Sequence, residues 1–223
     1  MLHATYLTIE NLLNAEQLQQ IKTISNQATF DDGKKTATQA AKQVKNNLQI
    51  DAQSQTSMAL QQIILASLNQ SSLFRNATFI KNVYPFLFSK YTEGMEYGWH
   101  VDSPLMGNMM RTDIAITIFL NNPDEYEGGE LELQTPSGTQ LYKLPAGSAI
   151  CYPCTQLHQV KKVTKGERRV AVSWIESMVK NSEQRKILFD MQQCIETLLQ
   201  NQQTEQANTL QQIHSNILRM WAI

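Results

Sequence analysis

Cysteine is scarce in this chain, and the number of cysteines is odd. The 223 residues include three, at Cys151, Cys154 and Cys194. A small, odd number of thiols cannot supply the paired framework of a secreted, disulfide-rich protein. We therefore expect reduced thiols and a reducing compartment, the cytoplasm.

A surplus of one charge sign and long apolar runs are also lacking. Lysine and arginine total 19 against 20 aspartate and glutamate residues, giving a formal net charge of -1. Scattered basic residues create no field that would concentrate nucleic acid at the surface. No window approaches the roughly 20 apolar residues of a transmembrane helix, and Met1–Leu13 has no basic run ahead of an apolar stretch. The sequence thus predicts no nucleic acid partner, no membrane partner and no secretion signal.

Helical patterns occupy the first third of the chain. Apolar residues recur at three- and four-residue spacing between Leu18 and Ala28, behind Asn14, which suits an N-cap. A second apolar stripe predicts a helix over residues 57–69. Residues 34–55, between the two patterns, are polar and lack periodicity, so we expect a loop there.

Strand patterns dominate from Phe79 onward. Apolar and polar residues alternate from Ile114 to Leu120, a turn is expected at residues 136–138, and Val170, Val172 and Trp174 should line one face of a last strand. Many short strands separated by such turns predict a sandwich or open barrel with the early helices packed on it.

After Lys180 the pattern is helical again. Ser182 and Thr204 suit the N-caps of two helices. The predicted apolar stripes are Ile187, Met191, Ile195 and Leu198 in the first helix, and Leu210, Ile213, Ile217 and Met220 in the second. We expect a surface helical hairpin, which would either cap the barrel or pair two subunits in a homodimer, and the pattern leaves both open.

The residues that indicate chemistry are His100, Asp102 and His158. In an extended segment residues i and i+2 point to the same side, so the imidazole of His100 and the carboxylate of Asp102 converge. His158 follows a predicted strand that would bring in a second imidazole. Two histidines and one carboxylate form the facial triad that leaves open positions and favours non-haem iron(II). An H-x-D tripeptide alone is weak evidence, because it often occurs by chance.

Arg168 strengthens this interpretation. A guanidinium binds a carboxylate through two parallel hydrogen bonds, and 2-oxoglutarate has a carboxylate at the end remote from its metal-chelating keto acid. The neighbouring Arg169 should face the opposite side of the strand, toward solvent. Cys151 and Cys154 offer a competing C-x-x-C zinc or redox motif, but residues three apart on a strand point to opposite faces. We expect both of these cysteines to be structural.

Several segments resemble the PKHD-type hydroxylases, prolyl-4-hydroxylase-like members of the iron(II)- and 2-oxoglutarate-dependent dioxygenases. The matching segments are residues 90–94, 97–102, 111–113, 124–131, 144–147, 157–160, 167–171 and 174–179. The resemblance implies an α+β fold with a double-stranded β-helix (jelly-roll) core. It implies iron(II) on His100, Asp102 and His158, 2-oxoglutarate on Arg168, and use of L-ascorbate. Tyr91 matches a tyrosine that in prolyl-hydroxylase relatives hydrogen-bonds the co-substrate, and packing is the alternative role.

These observations predict three regions and one activity. Residues 1–78 form an N-terminal helical support, residues 79–180 the dioxygenase core, and residues 181–223 the C-terminal hairpin. The expected activity is hydroxylation of an unidentified small-molecule or peptidyl substrate by O2, with release of succinate and CO2. Two alternatives stay open: a non-catalytic module that senses metal or 2-oxoglutarate, and a cupin-like metal-dependent hydrolase or isomerase. Arg168 argues against the second.

Overall fold

The computed structural model describes residues 5–37, 39–107, 109–135 and 137–223. The helices of this part of the chain are α1 (Ala15–Asn26), α2 (Gln39–Gln43), α3 (Gln55–Gln70), α4 (Ser72–Thr78), α5 (Ser182–Gln200) and α6 (Thr204–Trp221). The strands are β1 (Leu7–Ile9), β2 (Phe30–Asp32), β3 (Lys45–Asn46), β4 (Leu48–Ile50), β5 (Ile80–Val83), β6 (Leu87–Thr92), β7 (Glu96–His100), β8 (Leu105–Met106), β9 (Met110–Arg111), β10 (Ile114–Phe119), β11 (Tyr126–Gly128), β12 (Leu131–Thr135), β13 (Gly138–Tyr142), β14 (Ala149–Pro153), β15 (His158–Val160) and β16 (Val163–Ser177). None of the described helices is long and apolar enough to cross a membrane.

Two antiparallel sheets face each other and form the jelly-roll core. The larger sheet has the order β1-β14-β10-β16-β6-β4-β2, with β5 and β11 also paired to β16. The smaller sheet has the order β13-β12-β15-β7-β3, and β8 and β9 form a separate hairpin. The expected α+β fold with a double-stranded β-helix is confirmed.

The central strand β10 shows why the larger sheet is covered on both faces. All six of its residues are buried. Ile114, Ile116 and Ile118 belong to the apolar core shared with the helices α1, α3 and α4, whereas Ala115 and Phe119 face the core between the two sheets. Alternate residues of a strand point to opposite faces, so one run of apolar residues serves both cores.

The predicted N-terminal helices are present, and their caps explain their bounds. The side chain of Asn14 accepts a hydrogen bond from the backbone N–H of Gln17, and the Gln17 side chain accepts one from the backbone N–H of Asn14. This capping box satisfies two N–H groups that would otherwise lack partners at the start of α1. At the start of α3, the Ser54 hydroxyl accepts a hydrogen bond from the backbone N–H of Ser57.

The prediction of a loop over residues 34–55 is wrong for the greater part of that range. The chain there forms a short 3-10 turn at Gly33–Thr36 and then α2, β3 and β4. Strand β3 pairs with β7 of the smaller sheet and β4 with β6 of the larger one. This segment, residues 33–50, is called the N-terminal arm below. Its strands lack apolar alternation because their inward side chains, Lys45 and Gln49, are polar and line a cavity instead of an apolar core.

The hairpin of α5 and α6 is confirmed, but its predicted caps and stripes need correction. Asn181, one residue before Ser182, caps α5, and no side chain caps α6. The predicted stripe residues Ile187, Ile213 and Met220 are exposed. Helix α5 packs against α4 on one side and α6 on the other, so its buried residues are Arg185, Leu188, Phe189 and Ile195.

The turns follow the sequence pattern. Strands β12 and β13 form the predicted hairpin, with Thr135 opposite Gly138, while Pro136 lies outside the described residues. Gly129 adopts a φ of +67°, a conformation that side chains other than glycine rarely adopt. A Cβ atom there would also lie 3.0 Å from the Arg168 Cδ atom. Glycine at this position therefore leaves room for the Arg168 side chain.

Candidate metal and 2-oxoglutarate site

The two predicted histidine ligands lie on neighbouring strands of the smaller sheet. His100 ends β7, His158 begins β15, and the strands pair so that the two residues are directly opposite. Their ring centroids are 4.2 Å apart. Tyr97, three residues before His100, stacks on its ring with a centroid distance of 3.6 Å and an interplanar angle of 14°. Strand pairing thus places the two rings side by side, and stacking on Tyr97 fixes that of His100.

Backbone carbonyls set the tautomer of each histidine. The Nδ1 atom of His100 lies 2.8 Å from the carbonyl oxygen of Gly98, and that of His158 lies 2.9 Å from the carbonyl oxygen of Gln156. A carbonyl oxygen can only accept, so each Nδ1 donates its hydrogen. Each Nε2 is then left with a lone pair, which is the form that binds a metal.

Asp102 completes the cluster with a carboxylate that is buried and partly unpaired. Its side chain is 7% exposed, and Oδ1 lies 3.9 Å from His158 Nε2. Oδ2 makes no hydrogen bond of ordinary geometry among the described residues, although the Trp174 indole is close enough to favour the ionised carboxylate. One ligand atom from each of His100, Asp102 and His158 lies within 4.8 Å of the others. A dication fits here because it would neutralise the buried carboxylate and use both free imidazole lone pairs.

The electrostatic environment favours the neutral, metal-binding form of His100 but disfavours the ionised, metal-binding form of Asp102. Burial, the neighbouring His158 and Lys45 lower the pKa of His100 to about 3, against a smaller opposing effect of the Gly98 carbonyl. His100 is therefore neutral near pH 7. Burial raises the pKa of Asp102, while His158, the Trp174 indole and Lys45 act in the opposite direction. A bound cation would stabilise the ionised carboxylate.

Arg168 lies in the same cavity with an unpaired guanidinium. Arg168 is 1% exposed, and its Nε and Nη1 atoms make no hydrogen bond of ordinary geometry in the described part of the chain. Burial raises the pKa of the nearby Tyr126 phenol more than Arg168 lowers it, so this phenol is neutral and does not neutralise the guanidinium. The guanidinium carbon lies 5.1 Å from the Tyr91 ring centroid and 5.6 Å from that of Phe119. Buried charges are normally paired, so these N–H groups indicate a site for an anionic ligand.

Strand register explains the placement of Arg168 and Tyr91. Tyr91 on β6 is directly opposite Arg168 on β16, so both side chains are on one face of the larger sheet. Val170, Val172 and Trp174 continue that face, as the sequence predicted. Arg169 points to the other face, where it pairs with Glu167 and donates to Asn26. Burial raises the pKa of Tyr91, which keeps its phenol protonated as a donor.

The cavity that contains these groups has a volume of about 940 Å³. Ligand pockets are typically about 300–1,000 Å³, so the space admits a second molecule beside a small dicarboxylate. Trp174 lines its wall, and the half-exposed Trp99 lies at its mouth. The remaining described side chains of the cavity are mainly apolar or uncharged.

Sequence reasoning missed the part of the cavity that the N-terminal arm supplies. Lys45, Asn47 and Gln49 are buried and line the cavity together with Tyr97. The only feature of the sequence that could indicate this role is the spacing of these three residues at i, i+2 and i+4, which places their side chains on one face of an extended segment. Polar alternation in a polar segment resembles a loop unless a cavity is already suspected.

The competing cysteine motif does not form a site. Cys151 and Cys154 are buried free thiols, and Cys151 packs in the core beside the helices while Cys154 packs between the sheets. Burial raises the pKa of Cys151 to about 12 and that of Cys154 well above its ordinary value. Both are poor metal ligands because thiolates, not thiols, bind metals.

The family comparison matches the strand-rich part of the chain. The model of the 2OG-Fe(II) oxygenase superfamily covers residues 86–176, which include the His–Asp–His cluster and Arg168. A PKHD-type hydroxylase of Acaryochloris marina is 42% identical over 217 residues, covering 97% of this chain and 99% of the relative. A PKHD-type hydroxylase of Cupriavidus metallidurans is 40% identical over 222 residues, covering 96% of this chain and 97% of the relative.

Solved structures share the fold at low sequence identity. A Trichoplax adhaerens prolyl hydroxylase, solved with a hypoxia inducible factor peptide fragment, has a TM-score of 0.59 at 16% identity. The alignment covers 83% of this chain and 87% of that one. A Pseudomonas putida prolyl-4-hydroxylase has a TM-score of 0.51 at 17% identity, with 78% and 93% covered. At such identities the likeness establishes the jelly-roll fold and not the substrate.

Proposed function

Because the chain belongs to the PKHD-type hydroxylases of the 2OG-Fe(II) oxygenase superfamily, we propose specific roles for the residues of its cavity. His100, Asp102 and His158 hold iron(II), and Arg168 binds the remote carboxylate of 2-oxoglutarate. Tyr91 donates its phenol hydrogen to that carboxylate. The observation that carries the proposal is the buried, unpaired Arg168 guanidinium in the same cavity as a buried His–Asp–His cluster.

The chemistry divides between the bound groups and the protein. When bound, iron(II) and 2-oxoglutarate supply an O2-dependent oxidation that releases succinate and CO2 and hydroxylates a C–H bond of the prime substrate. The carbonyls of Gly98 and Gln156 hold the two histidines in the tautomer that presents Nε2 to the metal. The Arg168 fork fixes the orientation of the dicarboxylate, and the apolar walls limit access of water.

The test is succinate release by the purified full chain with iron(II), 2-oxoglutarate, ascorbate and candidate substrates. Asp102→Ala should abolish release and lower the affinity for Mn(II), measured by calorimetry, because a buried anionic ligand is lost. Asp190→Ala removes a surface carboxylate of α5 and serves as the matched control. Succinate release by Asp102→Ala at the rate of the unmodified protein would contradict the assignment. Metal and 2-oxoglutarate binding without succinate release would favour the sensor alternative.

Other expectations stay predictions. They are the use of ascorbate, a cytoplasmic location, a small-molecule or peptidyl substrate, the three-region division of the chain and a homodimer through α5 and α6. Sedimentation of the purified protein tests the dimer. Omitting ascorbate from the succinate assay tests the first expectation.

A further inference from the structure

A buried lysine faces the cavity without a carboxylate partner. Lys45 is 5% exposed and lies on β3, directly opposite Tyr97 of β7. Its Nζ atom donates to the Thr36 hydroxyl at 2.8 Å and lies 5.2 Å from the Tyr97 ring centroid. An ammonium has three N–H donors, and these neutral contacts leave part of that capacity unused. Across the described residues, no carboxylate forms an ion pair with Lys45.

The energetics of Lys45 also indicate a missing anion. Burial lowers its pKa to about 8, and Asp32 and Asp102 offset this effect only in part. A buried ammonium is costly unless a partner neutralises it. The Thr36 hydroxyl would accept equally well from a neutral side chain, and the attraction of the ammonium to the Tyr97 ring at 5.2 Å is weak beside the cost of burying it. The charge of Lys45 therefore needs a separate explanation.

The charges expected in the loaded site do not include a partner for Lys45. On the proposed function, the charges of iron(II) and Arg168 are matched by those of Asp102 and the two carboxylates of 2-oxoglutarate. Lys45, Asp102 and Arg168 are the lysine, arginine, aspartate and glutamate side chains among the described residues that line the cavity. Lys45 is thus the cation in excess, on the metal side of the cavity, where it acts electrostatically on His100 and Asp102.

Asn47 adds an unpaired amide beside Lys45. It lies two residues further along the arm and is 2% exposed, and its side-chain amide makes no hydrogen bond of ordinary geometry among the residues that the structure describes. The Tyr91 phenol lies nearby, and burial raises its pKa more than the Asn47 amide lowers it. The Gly33 backbone N–H donates to the Asn47 carbonyl at 2.9 Å, and a Cβ atom on Gly33 would lie 1.9 Å from Asn47 Oδ1. The arm therefore holds this amide in a place that only a glycine neighbour permits.

We propose that Lys45 and Asn47 bind a carboxylate of the prime substrate, which makes the substrate class a small molecule with a free carboxylate, such as an amino acid derivative. The ammonium and the amide N–H group supply donors for the two carboxylate oxygens. This inference rests on the proposed function, since it assigns 2-oxoglutarate to Arg168. An internal peptide segment without an acidic group would leave Lys45 unpaired.

The test compares matched carboxylate and amide probes on the full chain loaded with Mn(II) and 2-oxoglutarate under nitrogen. The pairs are N-acetyl-L-proline with N-acetyl-L-prolinamide, and N-acetyl-L-leucine with N-acetyl-L-leucinamide. Enhanced proton relaxation of a probe by Mn(II) reports binding near the metal without any turnover. We expect the carboxylate of at least one pair to bind at least tenfold tighter than its amide. Equal binding within both pairs, including no binding by any probe, overturns the proposal.

Variants locate the preference. Lys45→Met should remove it, Lys45→Arg should retain it, and each should bind 2-oxoglutarate within threefold of the unmodified protein. Lys90→Met is the matched control, because Lys90 pairs with Glu167 and lies outside the cavity lining. If Lys45→Met does not fold, Lys45→Gln replaces it. A carboxylate preference that survives either neutral substitution overturns the proposal, as does a tenfold loss of 2-oxoglutarate affinity.

Failure of the proposed function has a different signature. Mn(II) and 2-oxoglutarate binding to the unmodified protein is measured first, by calorimetry. Absence of that binding contradicts the metal and co-substrate assignment itself. Normal metal and 2-oxoglutarate binding with no carboxylate preference contradicts only the role of Lys45 and Asn47.

Discussion

Replacing Arg168 by methionine should weaken 2-oxoglutarate binding and stabilise the unliganded protein. Two nitrogen atoms of Arg168, Nε and Nη1, are buried without an acceptor, so one hydrogen bond from each to a carboxylate would be nearly unscreened by solvent. Each charge-assisted hydrogen bond contributes about 1.5–3 kcal/mol. Loss of both predicts about 3–6 kcal/mol, or roughly a 140- to 20,000-fold rise in the Kd for 2-oxoglutarate.

The unliganded protein should respond in the opposite direction. Each buried polar atom without a partner costs about 1–3 kcal/mol, and methionine removes two such nitrogen atoms while filling similar space. The lost cation–π contacts with Tyr91 and Phe119 offset up to about 2 kcal/mol. We expect the free energy of unfolding of unliganded Arg168→Met to rise by about 1–3 kcal/mol.

Calorimetry with Mn(II)-loaded protein and urea unfolding of the unliganded protein measure the two effects. Arg169→Met is the control, because Arg169 lies next to Arg168 but faces Glu167 and Asn26 on the other side of the sheet. It should leave the Kd for 2-oxoglutarate within twofold. A Kd for Arg168→Met within tenfold of the unmodified protein, or a clear loss of stability without ligand, would refute the reasoning.

Two further predictions concern Tyr91 and the cysteines. Tyr91→Phe keeps the ring beside Arg168 but removes one hydrogen bond to a carboxylate, which is worth about 1.5–3 kcal/mol, so the Kd for 2-oxoglutarate should rise roughly 12- to 150-fold; an unchanged Kd would leave Tyr91 a packing role. In the native protein at pH 8 a thiol reagent should label the exposed Cys194 rapidly, because burial keeps Cys151 and Cys154 protonated and inaccessible. Equally rapid labelling of all three thiols, or stoichiometric zinc bound to Cys151 and Cys154, would contradict this prediction.

The sequence was most informative where local rules act alone. The Asn14 cap needs only its neighbour Gln17, and the alternation in β10 needs only its own side chains, so both were predictable. The period of two also placed Val170, Val172 and Trp174 on one face of their strand. The spacing of His100 and Asp102 suggested a shared site in the same way.

Long-range packing could not be predicted in that manner. The buried face of α5 depends on two neighbours, α4 and α6, and its stripe includes Arg185, whose guanidinium donates to the Val179 and Lys180 carbonyls. A helical pattern built from apolar residues alone shifts toward Ile187, which is exposed. The prediction of a loop in the N-terminal arm was wrong for a related reason, because the strands of the arm pair with β6 and β7, which lie far along the chain.

Residues that the sequence analysis identified, Asp102 and Arg168, and residues that it missed, Lys45 and Asn47, share one physical property. Asp102, Arg168 and Asn47 each have a buried polar atom without a partner among the described residues, and Lys45 is a buried cation without an anion. Each such group costs stability in an empty cavity. A fold retains several of them around one cavity when ligands supply the missing partners. The complementary ligands are a cation for Asp102, a carboxylate for Arg168 and a second anion for Lys45, so the unpaired groups of the protein specify the charges of the molecules it binds.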